Sequence, residues 1–269
     1  MDIQQDIRIK ETALTERIKA AGKLAVAFSG GVDSTYLLYK AHEVLGDNCI
    51  AVTVKSLVLT YEELERAAEF CTANGIRQVT VDFDVFSVPE FENNPPDRCY
   101  YCKKQIFGSI KNAAPDYVIA DGSNVDDQGD YRPGMKAIEE LGITSPLKEA
   151  GLTKSDIREL SKEAGLTTWD MPSAACLASR IAYGEKITPD ILMRVAYAEK
   201  IIRELGFSGI RVRVHGDLAR IEAAPEDIPL LSYIHTREEI SSELKRLGFK
   251  YVTIDIDGYR TGSMNEVLK

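Results

Sequence analysis

The chain reads as an α/β protein, a doubly wound parallel sheet followed by a smaller α+β unit, and three observations predict this. Apolar runs of strand length recur at 24–28, 50–54, 79–83 and 117–121. Helical patterns stand between them, and strands alternating with helices build parallel sheets. From Asp190 the pattern changes to a helix followed by paired strands with alternating side chains.

The elements follow in order. The N-terminal stretch MDIQQDIRIKETALTERIKA spaces its apolar residues among charges, which predicts an amphipathic helix and lacks the apolar core of a signal peptide. LAVAF (24–28) is a buried strand that runs directly into SGGVDS. The helix after it carries apolar residues at 37, 38, 41, 44 and 45 and stops at Gly46. IAVTV (50–54) is the second strand. Thr60 and Glu63 form a capping box for a helix ending near Gly75. VTVDF (79–83) is the third strand. FENNPPDRCYYCKK, rich in polar residues and proline, reads as a loop over one sheet edge. YVIAD (117–121) is the fourth strand and ends at Gly122. Thr153 and Asp156 cap the helix of 151–166, and 169–188 has no clear period and reads as a functional loop. Residues 191, 195, 198, 202 and 205 mark one helix face. IRVRVHG and LARIEAA pair as strands, and a helix near 236–247 and the strand YVTIDID (251–257) close the chain. The expected division is 1–184 and 185–269.

Bulk composition bounds the function. The 269 residues are 44% hydrophobic and 28% charged, without a run of 18 apolar residues. A net charge of −9 and a pI of about 5.1 argue against a nucleic-acid grip, which needs clustered Lys and Arg. Five cysteines, an odd number, in a chain expected in the cytoplasm argue against disulfides and for metal or thiol chemistry.

Ser29-Gly30-Gly31-Val32-Asp33-Ser34 joins a buried strand to a helix. Glycines let the backbone turn tightly against an oxyanion, and the first helical N–H groups and the helix dipole attract that anion. Ser29, Ser34 and Thr35 add hydroxyls. Without a Walker lysine this is not the loop of kinases and GTPases. It resembles the loop of the PP-loop ATP pyrophosphatases, which implies ATP, Mg²⁺ and transfer of AMP to a carboxylate or amide oxygen.

Among the cysteines, Cys49 and Cys71 suit core positions. Cys99 and Cys102 form C-x-x-C, and Cys176 lies in PSAACLASR. A closed zinc site wants four ligands. Three thiolates suit a 4Fe–4S cluster that leaves one iron open to a ligand such as hydrosulfide. A redox or persulfide role for the same thiols and a zinc site are the alternatives.

With the loop, DGSNVDDQGDYRPGM, PLKEAGLTKSDIREL, CLASRIAYGEKIT and RVRVHGDLARIE taken together, the chain resembles the LarE family of ATP-dependent sulfur transferases, in a three-cysteine form. The resemblance runs over nearly the whole length. It implies adenylylation and then thiolation of a pyridinium mononucleotide bearing two carboxylates, in nickel-pincer nucleotide cofactor synthesis, and it implies a homo-oligomer. Single-cysteine members give up the sulfur of the cysteine matching Cys176. Cysteines at 99 and 102 depart from that pattern and point to cluster-borne, catalytic sulfur delivery.

A substrate phosphate needs cations. Arg211 and Arg213, two apart on a strand, share a face, and Arg180, Arg220 and Arg260 match arginines in the family's motifs; the rival reading is a solvated strand face. Asp121, at a strand's carboxyl end, and Arg132 stand where open α/β sheets bind ligands. Glu199 and Glu222 are either a divalent-ion site or surface charges. Asp126, Asp127 and Asp130 read as a solvated loop, one of which could meet Mg²⁺. His42, His215 and His235 form no spaced ligand set. The rival functions are a tRNA thiolase of the same superfamily, an ammonia-using synthetase and a non-enzymatic iron–sulfur carrier. The acidic pI counts against the first, the three cysteines against the second, and the intact SGGVDS against the third.

Overall fold

The computed structural model describes residues 3–129, 133–172, 175–260 and 262–268. They fall into two compact units, Met1–Asp84 with Cys99–Ser173 and Val85–Arg98 with Ala174–Lys269.

In the first unit, strands β1 (Leu24–Ala27), β2 (Cys49–Lys55), β3 (Arg77–Asp82) and β4 (Val118–Ala120) form a parallel sheet in the order β3-β2-β1-β4. Helices α1 (Ile3–Ala21), α2 (Val32–Leu45), α3 (Tyr61–Ala73), α4 (Arg98–Ala113), α5 (Gly134–Glu140), α6 (Pro146–Glu149) and α7 (Lys154–Glu163) accompany it. Side chains of β1 alternate between two cores, as the pleat requires. Leu24 and Val26 join Leu14, Ile18, Leu37, Leu38 and Ile157. Ala25 joins Ile50, Phe107, Ile110 and Ile138. The centre of the sheet is therefore covered on both faces, which explains why β1 and β2 read as nearly unbroken apolar runs, while the edge strand β3 has no fully buried residue. The chain moves outward from β1 to β3, then returns to place β4 on the other side of β1. The carboxyl ends of β1 and β4 thus flank the switch point where such sheets take ligands.

Both capping boxes form, Thr60 with Glu63 and Thr153 with Asp156. Thr153→Ala should lower stability by about 1 kcal/mol, read as a lower thermal midpoint; an unchanged midpoint would show that the box adds nothing here. One reading needs correction. The stretch containing C-x-x-C is not a loop throughout, because α4 begins at Arg98 and carries both cysteines. Pro95 and Pro96 confine the irregular backbone to the residues before it, while Phe107 and Ile110 bury the helix face.

In the second unit, α8 (Pro189–Glu204), β5 (Arg211–His215), β6 (Leu218–Glu222), α9 (Ile228–Leu231), α10 (Ile234–Arg246) and β7 (Tyr251–Ile254) follow one another. The sheet order is β5-β6-β7, with β5 and β6 antiparallel and β6 and β7 parallel. The buried face of α8 is Leu192, Val195, Ala198 and Ile202, and Ile191 and Leu205 are only partly buried. Among the described residues no helix is long and apolar enough to cross a membrane.

Candidate active site

The loop after β1 is built for an anion. Gly30 takes a φ of 71°, a left-handed turn that glycine adopts without strain. Gly31 is the extended N-cap of α2, so the next N–H groups belong to the first turn and have no intrahelical acceptor. Ser34 Oγ donates to Gly31 O at 3.2 Å and lies 3.2 Å from Ser29 Oγ, which ties the loop across itself. Thr35 is buried, and its hydroxyl has no hydrogen-bond partner among the described residues. From α3, Arg66 Nε donates to Gly30 O at 3.3 Å.

The turn after β4 closes on this loop. A Cβ on Gly122 would stand 3.0 Å from Ser34 N and 3.3 Å from Ser34 Cα, so only glycine leaves the first turn of α2 undisturbed. Asp121 is buried and accepts from Ser123 N at 3.3 Å, from Ser123 Oγ and from Ser145 Oγ at 2.6 Å. Its carboxylate thereby shapes the turn that presents Gly122. Asp33 takes Lys154 Nζ at 2.6 Å and Asn124 Nδ2 at 3.4 Å.

Lys154, Asn124, Ser145 and Arg66 escape the sequence reading. Lys154 opens α7, where a cation opposes the helix dipole, and that local conflict is the signal that marks it. Asp126 is exposed and Asp127 partly buried on this loop, and both also take backbone donors. Asp126 accepts from Lys154 N at 2.7 Å and Asp127 from Asn124 N at 2.9 Å, so they fasten the same turn. Asp130 and Arg132 lie outside the described residues.

The cysteines separate by environment. Burial pushes the Cys49 thiol up to about 12, with the Cys71 charge adding to it, and burial pushes Cys71 up to about 11. Cys99 is partly exposed and Cys102 buried on the first turns of α4, and Cys176 is partly exposed in the second unit. Within each unit, no three His, Cys, Asp or Glu side chains among the described residues gather as a metal-binding group. In protein freed of iron, iodoacetamide at pH 8 should label the partly exposed Cys99 and Cys176 and spare Cys49 and Cys71, whose raised thiols stay protonated while only thiolate reacts. Peptide mass spectrometry checks this, and early labelling of Cys49 would contradict it.

In the second unit the predicted arginines cluster. Arg180 binds Glu199 through Nε at 2.8 Å and Nη2 at 3.0 Å. Arg213 binds Glu222 through Nε at 2.9 Å and Nη2 at 2.8 Å, and donates to Ser179 O at 2.8 Å. Arg220 reaches Glu222 at 3.1 Å and Asp255 at 3.5 Å. Arg211 lies over the Tyr259 ring at 5.4 Å, with its guanidinium pKa lowered by burial and then by the charge of Arg180. Arg260 joins the edge of this cluster, sharing Asp255 with Arg220 at 4.0 Å and pairing with Glu266 at 3.3 Å and Asp257 at 3.4 Å.

Burial removes one alternative for each group: Glu199 and Glu222 are not surface charges, being 2% and 0% exposed, and Arg211 and Arg213 are not a solvated face, at 7% and 5%. Three buried guanidiniums, of Arg180, Arg211 and Arg213, and two buried carboxylates, of Glu199 and Glu222, thus share the interior of the second unit. His42, His215 and His235 stand on α2, at the end of β5 and on α10.

The chain is similar to several known proteins. The asparagine synthase family matches residues 10–120. The chain is 38% identical to a pyridinium-3,5-bisthiocarboxylic acid mononucleotide synthase of Lactiplantibacillus plantarum, over 96% of this chain and 95% of the relative. It is 42% identical to an uncharacterized protein of Synechocystis sp., over 90% of this chain and 92% of the relative. It is 27% identical to one component of a glutamine-hydrolysing GMP synthase of Archaeoglobus fulgidus, over 60% of this chain and 56% of the relative.

Proposed function

Because the chain belongs to the LarE family of ATP-dependent sulfur transferases, within the PP-loop superfamily, we propose that it adenylylates a carboxylate of pyridinium-3,5-biscarboxylic acid mononucleotide and replaces the AMP with sulfur. The product serves nickel-pincer cofactor synthesis. The observation that carries this reading is 38% identity, along 96% of the chain, to a pyridinium-3,5-bisthiocarboxylic acid mononucleotide synthase, combined with an intact anion loop.

A carboxylate is a poor acyl donor at neutral pH, and AMP gives it a leaving group. The N–H groups of the first turn of α2 receive the pyrophosphate, with Gly30 and Gly122 keeping the approach clear. Asp33 is the loop carboxylate that would hold Mg²⁺, sharing its charge with Lys154, and the ion would supply charge neutralisation for the leaving pyrophosphate. Sulfur as a thiolate-type nucleophile then attacks the acyl carbon and AMP departs. Arg180, Arg211, Arg213 and Arg220 take the substrate phosphate, with Arg260 at the margin. Glu199 and Glu222 orient those guanidiniums.

Cys99, Cys102 and Cys176 are the proposed ligands of a 4Fe–4S cluster. Two cysteines one turn apart on α4 and a third that is partly exposed support that reading. When bound, the cluster would carry the sulfur to be delivered and spare Cys176 from consumption. A cytoplasmic homo-oligomer completes the proposal.

The test incubates the protein with ATP, Mg²⁺, sulfide and the mononucleotide. Pyrophosphate and AMP should appear only with the mononucleotide, alongside a thiocarboxylate seen by mass spectrometry. Pyrophosphate release indifferent to the mononucleotide would sink the assignment. For the cluster, anaerobically purified protein should hold about four irons per chain, lost in Cys99→Ala, Cys102→Ala and Cys176→Ala. No iron after reconstitution would leave Cys176 as a sacrificial donor, detectable by its loss of sulfur on turnover.

A further inference from the structure

The geometry points to Asn94 and Arg98 as positioning residues that hold the Cys176 loop in its working shape. This rests on Cys176 taking part in sulfur delivery, as proposed above.

Asn94 is the one non-glycine residue with a left-handed backbone among those described, at a φ of 50°. It is also fully buried, at 0% exposure. Asparagine tolerates that conformation better than most residues, yet a buried residue held there indicates that its surroundings require it. Here the requirement is visible. Asn94 Nδ2 donates to Ala182 O at 2.7 Å and to Ile181 O at 3.2 Å, and Asn94 O accepts from Gly184 N at 3.0 Å. Asn94 Oδ1 accepts from Arg98 Nη1 at 2.5 Å, and the same nitrogen donates to Ala178 O at 3.0 Å.

One asparagine and one buried arginine thus take four backbone groups of residues 178–184, a stretch with little regular structure of its own. The loop's other side is held by Arg180, whose Nη1 donates to Ala175 O at 2.6 Å and Cys176 O at 3.2 Å. Loop backbone that cannot pair with itself must find buried partners. Asn94 and Arg98 supply them from Val85–Arg98, the short segment that the second unit draws from earlier in the chain. These bonds lie within the second unit, whereas the anion loop belongs to the first, and neither side chain has a hydrogen bond to that loop among those described.

The test separates the two half-reactions. Adenylylation is read as mononucleotide-dependent ATP–pyrophosphate exchange, and sulfur transfer as thiocarboxylate formation. Asn94→Gly keeps the left-handed backbone and removes the side chain, Arg98→Met removes the guanidinium, and Arg98→Lys retains the charge. Asn94→Gly and Arg98→Met should lower sulfur transfer roughly 10- to 100-fold, the scale of an ångström-level misplacement, while exchange stays within about twofold, a free-energy change below RT. Arg98→Lys should recover part of the loss. Equal loss of both half-reactions, or no loss of sulfur transfer, would overturn the inference. Cys176→Ala is the control for the underlying reading. If it transfers sulfur normally, that reading fails; if it is inactive while Asn94→Gly is normal, only the positioning role fails.

Discussion

Glu199→Leu should destabilise the protein by about 3–5 kcal/mol, the cost of leaving a buried charge without its partner. The Arg180 and Glu199 side chains are 4% and 3% exposed. Both nitrogens that face the carboxylate lie within 3.0 Å of it. Glu199 Oε1 also accepts from Val212 N at 3.0 Å, so the substitution orphans a backbone donor of β5 as well. A loss of that size is a large fraction of the roughly 5–15 kcal/mol that holds a domain together. Urea unfolding measures it. The double variant Arg180→Met with Glu199→Leu should regain part of the loss, because an apolar pair of similar volume is far less costly than one stranded guanidinium. A loss under about 1 kcal/mol would place the pair among weakly contributing ion pairs and contradict its burial.

Gly122→Val should weaken ATP binding by at least about tenfold, or some 1.4 kcal/mol. Alanine already brings a Cβ to 3.0 Å from Ser34 N, and the atoms it meets are backbone of the first turn of α2, with no flexible side chain to yield. Valine adds two methyl groups at the place where helix N–H groups must reach an oxyanion. Titration calorimetry with ATP and Mg²⁺ gives the affinity. Far-ultraviolet circular dichroism confirms that the helices persist. Wild-type affinity would show that pyrophosphate approaches α2 from another side.

Much of the fold is legible in the sequence because it is local or periodic. Apolar runs mark β1 and β2 since both faces of the central strands are buried, whereas the edge strand β3 has no fully buried residue, and Thr60 and Thr153 announce helix starts through residues three positions away. The beginning of α4 is hidden because Pro95, Pro96 and two cysteines mask a helix whose apolar residues, such as Phe107 and Ile110, come later. The arginines are legible but their setting is not. The partners Arg180–Glu199 and Arg213–Glu222 belong to different elements, and burial is a property of the assembled unit. Lys154 with Asp33, and Asn94 with Ala182, are separated by long stretches of chain, and no spacing rule connects them.

The discontinuous second unit has a consequence for the order of synthesis. Its Val85–Arg98 segment leaves the ribosome before Cys99–Ser173, all of which belongs to the first unit, and the remainder from Ala174 comes last. The segment bearing Asn94 must wait, without its acceptors at 181 and 182, until most of the polypeptide has emerged. Closing so long a loop slows folding more than it lowers final stability. A nascent chain halted between the two segments therefore carries a nearly complete nucleotide unit and an unsatisfied Asn94. An isolated 174–269 fragment would lack the clamp on the Cys176 loop altogether.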